Sequence, residues 1–513
     1  MNLVSKIRAN WIWWCVLFLG IVLRFAFLTQ YPLGVNQDEA FAGYEAYSLA
    51  KAGVDAHGYV NPVYFTAWGS GMNALYSYLS MPIIAIAGLS LFSVRFTQAM
   101  IGCIVLVIFY LLLRELFEKK YALWGFFLLA INPWHIMLSR WGLESNLAPE
   151  MIVIAVYFLI KAYKGKTICY IPSFFFWGLA LYAYAIMWAF VPLVLVFFFV
   201  YGLRQRLVRL SPCLAIGIMI LFILGIPLLL FVAVNYGWIP EIRTAFFSVP
   251  RLVTFRDGEI SFQLMWYKLG VMLKLLITQK SKYDTFNNTN VGIYYYLSIP
   301  FIAIGIACSV RSFIHNWKEK LFDAKDMMLL WFMAAFLVGC VVSFGNINKL
   351  NCIHIPMIYF SVTGCVWLFE KKCSLVYPLT VAYLLFFGVF AKEYFVKIPS
   401  FKYYNYESAL EYAQEHTDGD IGTILIAPPC VLMQTKMLPE DYMDTVDTLN
   451  FETVSRMGRY LFYQLPEELD PEILYVVGEI YLDSYLQDGY EILFENGNYY
   501  VVGYAQNFVD KGE

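Results

Sequence analysis

Long apolar runs recur along most of this chain and limit what it can fold into. The chain has 513 residues, of which 60% are hydrophobic and only 14% are charged. A soluble globular protein is far less apolar. Runs of about 18 or more apolar residues are long enough to cross a lipid bilayer as a helix. The sequence therefore predicts an α-helical polytopic membrane protein, since a β-barrel would show short alternating segments instead.

We expect about eleven transmembrane helices, counted from the apolar runs. The first run has no small-residue cleavage site after it, so we interpret it as a signal anchor rather than a cleaved signal peptide. The first outer loop, 30–93, is expected to contain two helices that lie in the membrane interface. The predicted spans are 11–29, 94–113, 121–132, 147–160, 168–184, 187–201, 214–234, 293–310, 327–343, 353–369 and 375–390.

Basic residues predict which side of the membrane each loop faces. Lys6 and Arg8 precede the first span, and the other short loops on that side are also rich in lysine and arginine. Because such loops face the cytoplasm, we expect the N-terminus inside and the C-terminal part outside the plasma membrane.

One loop, 235–290, departs from this pattern because it is basic and yet expected outside. Its amphipathic helix would reverse the orientation of the C-terminal part if it crossed the membrane. We predict that it lies in the interface instead, because Lys268 and Lys274 would otherwise sit at membrane depth.

Charge divides the chain into two parts. Residues 401–513 carry 21 acidic and 5 basic residues, whereas the first 400 carry 17 and 31. We therefore predict a transmembrane domain, 1–393, and a small extracytoplasmic α/β domain, 394–513. In the latter we expect a helix over 406–415 and strands over 421–427 and 473–477. A hairpin of 490–494 with 499–504 is expected around Asn496-Gly497.

An acidic pair follows the first predicted span directly. Asp38 and Glu39 lie within a few residues of the hydrocarbon, where charge is costly unless it has a function. Asn36 and Glu39 are typical of a helix capping box, and Gly53 of a helix end. An isolated acidic pair is more often a helix cap than a catalytic site. Its place on an outer loop that also carries Asp55 favours a function.

Several motifs resemble one group of membrane enzymes, the glycosyltransferases of the GT-C class. The most similar members are the protein O-mannosyltransferases and the aminoarabinose transferases that act on lipid A. Many of these relatives carry a Lys/His-Pro-Pro segment where this chain has residues 68–73, which leaves the acceptor open. The motifs are Asn36-Gln37-Asp38-Glu39, Gly53-Val54-Asp55-Ala56-His57-Gly58, Val94-Arg95-Phe96, Pro133 with Ser139-Arg140, Tyr182-Ala183-Tyr184, and Asn346-Ile347-Asn348-Lys349-Leu350-Asn351 with Pro356.

The resemblance implies transfer of a sugar at the outer membrane face. Such enzymes take the sugar from a polyprenyl-phosphate carrier and pass it to an acceptor hydroxyl or similar nucleophile. The implied partners are this donor, membrane lipids, and an acceptor protein, lipid or cell-envelope glycan, with no nucleic acid. No cofactor is identified, and the sequence leaves open whether a divalent cation assists. The ten cysteines show no metal-ligand spacing.

The resemblance also implies the catalytic groups. Asp38 is expected to accept the acceptor's proton as the bond to the anomeric carbon forms. Glu39 is expected to position the loop, because as its helix neighbour it points about 100° away. One base and one stabilised leaving group suit a single inverting displacement, without the second carboxylate of a retaining hydrolase.

Fixed cations should face the lipid phosphate, because its charge grows as it leaves. A salt bridge from Arg140 to Glu144 would instead make that arginine structural. The expected phosphate-binding residues are Arg140, Lys349 and Arg243, with Arg251 and Arg256 as substitutes.

Four further residues are expected to bind sugar or acceptor, each with a structural alternative. Asp55 would hold the donor sugar or a cation, or else stabilise a turn. His57 would contact the ligand or hydrogen-bond within its loop. Tyr182 and Tyr184 would line a sugar or lipid groove, or belong to the aromatic belt at a span end.

Three other functions fit parts of the sequence. A lipid-linked sugar flippase or transporter would favour broken helices and a midplane site between two related halves, whereas this chain shows no internal repeat. A polysaccharide polymerase or ligase would use a large outer loop. A scaffold would present the acidic domain without chemistry. Loss of transfer in Asp38→Asn with normal folding would separate an enzyme from the transporter and the scaffold.

Overall fold

Helices make up most of the part of the chain that the structure describes. This structure is a computed structural model, and it describes residues 10–255, 263–280, 290–342, 346–396, 405–462 and 469–508. The helices, in chain order, are α1 (Trp11–Phe25), α2 (Gln37–Ala52), α3 (Leu75–Ala87), α4 (Leu91–Leu116), α5 (Lys119–Ala130), α6 (Pro133–Leu138), α7 (Glu144–Tyr163), α8 (Tyr170–Leu181), α9 (Met187–Arg204), α10 (Pro212–Asn235), α11 (Met265–Thr278), α12 (Ile299–Glu319), α13 (Lys325–Val342), α14 (Asn351–Lys371), α15 (Val376–Phe395), α16 (Glu407–His416), α17 (Pro428–Thr435), α18 (Pro439–Thr445), α19 (Glu479–Gln487) and α20 (Ala505–Phe508).

The chain forms two compact units. The first, here called the helical unit, consists of Met1–Leu28, Arg95–Leu230 and Arg256–Ile398. The second, the mixed unit, consists of Thr29–Val94, Phe231–Phe255 and Pro399–Glu513. The segment after the first apolar helix therefore folds with the C-terminal part of the chain. The domain boundary predicted at 393 adjoins residues 397–404, which lie outside the described residues.

The multi-pass membrane architecture predicted from the apolar runs is confirmed. Eight helices within the described residues are long and apolar enough to cross a membrane: α4, α7, α9, α10, α12, α13, α14 and α15. The other three predicted spans fall on α1, α5 and α8, which have 15, 12 and 12 residues. The count of about eleven spans stays a prediction, because these three helices are short for a bilayer.

Helices α12 and α14 of the helical unit approach each other closely at two glycines. A Cβ atom added to Gly305 would overlap the backbone carbonyl of Phe360, and one added to Gly364 would overlap that of Phe301. Small residues are the usual means by which membrane helices bring their backbones together. This contact depends on the absence of two side chains rather than on any attraction between side chains.

Gly305→Ala is therefore expected to lower the free energy of unfolding by about 1–3 kcal/mol, because the backbone of α14 cannot move aside cheaply. The midpoint of thermal unfolding in detergent measures this effect. Gly388→Ala in α15 is the matched control, since nothing lies within 4 Å of a Cβ added there. Equal melting temperatures for the two variants would contradict the close packing.

The C-terminal part of the mixed unit contains a six-stranded mixed sheet, as the predicted α/β domain requires. The strand order is β6-β7-β5-β8-β10-β9. Strand β5 pairs in parallel with β7 and β8, and the other pairings are antiparallel. The strands are β5 (Ile421–Thr423), β6 (Arg456–Met457), β7 (Tyr460–Phe462), β8 (Leu474–Gly478), β9 (Glu491–Glu495) and β10 (Tyr499–Gly503).

The position of the last hairpin was predicted correctly from its Asn-Gly turn. Strands β9 and β10 pair around Asn496-Gly497, and Gly497 has a φ of 83°, the left-handed conformation that glycine adopts readily. Helix α16 matches the helix predicted over 406–415. The strand predicted over 421–427 ends at Thr423, because Pro428 begins α17 a few residues later.

The rest of the mixed unit holds the acidic pair. Helix α2 begins after Asn36, whose side chain accepts a hydrogen bond from the backbone N–H of Asp38, and ends at Gly53 with a φ of 73°. Both boundaries agree with the prediction. Two short antiparallel hairpins accompany it, β1 (Tyr64–Phe65) with β2 (Met72–Asn73) and β3 (Ile242–Arg243) with β4 (Ser248–Val249).

Candidate functional site

Asp38 is the second residue of α2 and keeps part of its surface exposed. Its backbone N–H donates to Asn36 Oδ1 at 2.8 Å, which fixes the first turn of the helix. The N-terminus of a helix favours a nearby negative charge. Glu39, the next residue, is fully buried. The two carboxylates of the pair thus differ, since only Asp38 offers a surface to a substrate.

The C-terminal part of the chain helps to hold α2. The hydroxyl of Tyr44 donates to the carbonyl of Met437 at 2.8 Å. The ring Nε2 of His57 lies 2.7 Å from the carbonyl of Leu449. The Phe451 ring packs edge-on against Phe41 of α2, with their centroids 5.9 Å apart. The acidic domain is therefore part of the support for Asp38, which the sequence did not indicate.

A second pair of carboxyl groups lies behind α2. Glu45 and Asp55 are both 0% exposed. Glu45 Oε2 accepts the N–H of Ala56 at 3.0 Å, and Asp55 Oδ1 accepts those of His57 and Tyr59 at 2.9 and 2.8 Å. Burial raises the pKa of Asp55 to about 7, against the opposing effect of these backbone hydrogen bonds. Burial and the nearby Asp55 raise the pKa of Glu45 well above its usual range.

Sequence reasoning missed Glu45, although a signal for it existed. It follows Asp38 by seven residues on a predicted helix, which places both on one face. Asp55 occupies the turn that its alternative interpretation foresaw. Its role in sugar binding stays a prediction.

The structure brings His57, Tyr59 and Arg243 together around Asp55. Burial lowers the pKa of His57 to about 4, so its imidazole is neutral near pH 7. The Arg243 guanidinium lies 4.1 Å from the centre of the Tyr59 ring, forms an ion pair with Glu241 and favours the charged form of Asp55. Arg243 is exposed, and its role as a phosphate ligand stays a prediction.

In the helical unit, Arg140 is fully buried and binds the end of α1. Its guanidinium donates to the carbonyls of Leu23, Ala26 and Phe27 at 2.8 to 2.9 Å. The carbonyl of Leu23 is among those that the end of a helix leaves without intrahelical partners, and those of Ala26 and Phe27 follow the helix directly. The guanidinium also lies 5.1 Å from the centre of the Phe395 ring. In this arrangement Arg140 holds the end of α1 through backbone carbonyls, and its role as a phosphate ligand stays a prediction.

Lys349, the second predicted phosphate ligand, is only partly buried. It follows Asn346, whose side-chain oxygen accepts the N–H of Asn348 at 2.7 Å. Asn351, two residues after Lys349, donates to the carbonyl of Ser145 at 3.0 Å and accepts from Trp134 Nε1 at 3.2 Å. The start of α14, two residues after Lys349, is therefore fixed to α6 and to the first turn of α7.

One hydrogen-bond network holds the segments of the helical unit that carry Arg140 and Lys349. Asn351 donates to the side-chain oxygen of Asn146 at 3.3 Å. Asn146 in turn donates to the carbonyls of Leu138 and Trp141, which flank Arg140. Two motifs that lie more than 200 residues apart in sequence thus form one assembly.

A buried charged triad links α1, α6 and α7. Arg24 Nη2 lies 2.6 Å from His135 Nδ1, and His135 Nε2 lies 3.4 Å from Glu150 Oε1. Because Nδ1 faces a donor, the imidazole proton belongs on Nε2, facing Glu150. The triad links a guanidinium to a carboxyl group through the imidazole ring. It is structural, because it ties three helices together away from water.

Tyr182 and Tyr184 follow α8 in the helical unit and are partly buried. The Tyr182 hydroxyl donates to the carbonyl of Leu224 in α10 at 2.7 Å. Their contact with a sugar or lipid stays a prediction. Within the described residues, no group of three His, Cys, Asp or Glu side chains is placed to hold a metal ion.

Residues 74–231 match the family described as dolichyl-phosphate-mannose-protein mannosyltransferase. The structure of ArnT from Cupriavidus metallidurans bound to undecaprenyl phosphate is similar over 96% of this chain and 98% of that one, with a TM-score of 0.55 and 12% identity. The chain has the fold of this ArnT structure. The resemblance seen in the sequence motifs is thereby confirmed. No curated protein matches the chain by sequence.

Two further structures show the same fold. Apo ArnT from Cupriavidus metallidurans has a TM-score of 0.59 at 13% identity, over 96% of this chain and 98% of that one. The structure of archaeal oligosaccharyltransferase AglB from Archaeoglobus fulgidus, in complex with an inhibitory peptide and a dolichol-phosphate, has a TM-score of 0.52 at 15% identity. The similarity covers 81% of this chain and 59% of that one. The matched family segment contains Arg140 but begins after Asp38 and ends before Lys349.

Proposed function

We propose that the protein is an integral-membrane inverting glycosyltransferase that moves a sugar from a polyprenyl-phosphate donor to an acceptor. The observation that carries the proposal is the partly exposed carboxylate of Asp38 at the start of α2, in a chain with a GT-C fold. The undecaprenyl phosphate of ArnT and the dolichol-phosphate of AglB support a lipid-phosphate donor.

The chemical step needs one base. Asp38 accepts the proton of the acceptor hydroxyl while the hydroxyl oxygen bonds to the anomeric carbon of the sugar. The bond from that carbon to the phosphate oxygen breaks, and the lipid phosphate leaves with the electron pair. Glu39 is buried and supports the first turn of α2 rather than touching the substrate.

Among the predicted phosphate ligands, Lys349 is favoured in this role over Arg140. Arg140 already donates to three backbone carbonyls and has no exposed surface. Lys349 keeps part of its surface on a loop that hydrogen bonds hold in place. Arg243 is exposed and remains a second cation for the phosphate.

The charge pattern supports an outward-facing reaction at the plasma membrane. Basic loops place the N-terminus in the cytoplasm, and about eleven spans then place Asp38 and the acidic domain on the outer side. A protein, a lipid or a cell-envelope glycan is the acceptor at that face.

Lys349→Ala is expected to lower kcat/KM for the lipid-linked donor by roughly 10- to 100-fold, because a fixed cation stabilises the leaving phosphate. Lys349→Arg should recover most of the loss. The measurement is transfer rate against donor concentration in proteoliposomes. Lys371→Ala removes an exposed lysine elsewhere in the helical unit and should have no effect. An unchanged kcat/KM in Lys349→Ala would remove this residue from the site.

The proposed function is tested with labelled donors. Purified protein in proteoliposomes is incubated with a panel of labelled polyprenyl-phosphate sugars and with envelope acceptors, and the position of the label is determined. Label on an acceptor supports a transferase. Label that crosses the bilayer while still attached to its lipid would show a flippase and contradict the proposal.

A further inference from the structure

The buried carboxyl groups of Glu45 and Asp55 each use one oxygen and leave the other unpaired. Glu45 Oε2 and Asp55 Oδ1 accept backbone N–H groups of the turn 55–59. Glu45 Oε1 and Asp55 Oδ2 are buried without a hydrogen-bond partner. A buried polar atom without a partner costs free energy, so two such atoms on neighbouring acids call for a proton or a cation.

Two ionised carboxylates would be poorly compensated at this place. Arg243 is the cation that favours the charged form of Asp55, but it also pairs with Glu241 and points toward solvent. His57 is neutral near pH 7. Among the described residues, other titratable groups around the pair are acidic or phenolic, and they include Glu241, Tyr44, Tyr59 and Tyr442.

We propose that Glu45 and Asp55 share one proton, and that this acid pair holds the turn 53–59 against the helix that presents Asp38. The protonated carboxyl donates to the carboxylate, which gives both unpaired oxygens a partner. The shared proton follows from the pair alone. Its consequence for sugar transfer rests on the proposed function, in which Asp38 is the base.

A metal ion is the other species that two carboxylates could hold. A calcium ion takes about six to eight oxygen ligands. Within the described residues, no set of three His, Cys, Asp or Glu side chains is arranged to hold a metal. A proton needs no ligand beyond the two carboxyl groups, so the pair is assigned a proton, and treatment with EDTA tests for a metal.

The pair makes stability depend on pH in a definite direction. The pKa of Asp55 is raised to about 7 and that of Glu45 is raised as well, so the folded state binds more protons than the unfolded state. The stabilisation is complete below the ordinary carboxyl pKa of about 4. It is lost as pH rises from there to about 7, because over this range unfolding releases the proton that the folded pair holds, and this release becomes more favourable as the proton concentration falls.

Infrared spectroscopy tests the shared proton directly. At pH 6 the wild-type protein should show the carbonyl stretch of a buried, protonated carboxyl group, and the difference spectra should show its loss in both Glu45→Gln and Asp55→Asn. In each variant the amide donates to the remaining carboxylate, so no proton is needed. Glu440→Gln, which changes an exposed acid of the same unit, should retain the band.

Thermal unfolding supplies the second measurement. The melting temperature of the wild type should fall between pH 5 and pH 8 by more than that of Glu45→Gln or Asp55→Asn, and Glu440→Gln should follow the wild type. Either variant suffices if the other fails to fold. A carboxyl band that persists in the variant, or a pH dependence equal to that of the wild type, would overturn the shared proton. The shared proton would also be overturned if EDTA lowered the melting temperature of the wild type but not that of the variants, since this would indicate a bound cation.

Transfer activity separates the positioning role from the shared proton. Glu45→Gln should keep most of the activity, whereas Glu45→Ala, which also loses the bond to Ala56, should lose roughly 10- to 100-fold. Full activity in a folded Glu45→Ala would overturn the positioning role. The infrared and melting measurements do not use sugar transfer, so they hold or fail independently of the proposed function.

Discussion

Asp38→Asn is expected to lower the rate of sugar transfer by about 10²- to 10⁴-fold, the usual contribution of a general base. The amide has the shape of the carboxylate but cannot accept the acceptor's proton. The backbone bond that caps α2 runs from the N–H of Asp38 to Asn36, so the substitution leaves it in place. The measurement is the single-turnover rate of transfer from a labelled polyprenyl-phosphate sugar in proteoliposomes.

Glu39→Gln is the matched control for Asp38→Asn. It changes the neighbouring acid in the same way, but at a buried position without access to a substrate. We expect Glu39→Gln to transfer sugar at a rate within a few-fold of the wild type. The melting temperature of Asp38→Asn should equal that of the wild type. Normal transfer by a folded Asp38→Asn would exclude this residue as the base.

Arg140→Ala is expected to lower the free energy of unfolding by about 3–5 kcal/mol. The substitution leaves the carbonyls of Leu23, Ala26 and Phe27 without their donor. Hydrogen bonds to a charged group contribute about 1.5–3 kcal/mol each and are not additive, so the total is smaller than their sum. The midpoint of thermal unfolding in detergent checks the expected loss.

Two comparisons decide between a structural arginine and a phosphate ligand. Arg140→Lys keeps the charge but cannot reach three carbonyls with one ammonium group, so it should remain destabilised. Arg251→Ala, at an exposed arginine, should melt like the wild type. If Arg140→Ala melted normally and lost only its affinity for the donor, the structural role would be wrong and the predicted phosphate contact would gain support.

The buried and the exposed cations of the chain differ in their surroundings. Arg24 and Arg140 are buried and satisfy backbone carbonyls or a neighbouring histidine. Lys349 and Arg243 keep exposed surface, and their contact with a phosphate stays a prediction. The Arg24 guanidinium is enclosed by α1, α5 and α6.

The sequence by itself determined the helices of the membrane part and the ends of several local elements. An apolar run in lipid has to satisfy its backbone hydrogen bonds within the segment, so helix follows from composition and length. Asn36 and Gly53 marked the ends of α2, and Asn496-Gly497 marked the turn between β9 and β10. In each case the signal and the structure it specifies lie within a few residues.

Only the tertiary structure decided which polar groups meet. The Glu45–Asp55 pair depends on how a turn folds back onto a helix, and the bond from Asn351 to Asn146 joins residues 205 positions apart. The contacts of Tyr44 with Met437 and of His57 with Leu449 cross almost 400 residues of chain. A side chain's burial and partners depend on such long-range packing, and they decide whether a charge binds a substrate, shares a proton or caps a helix.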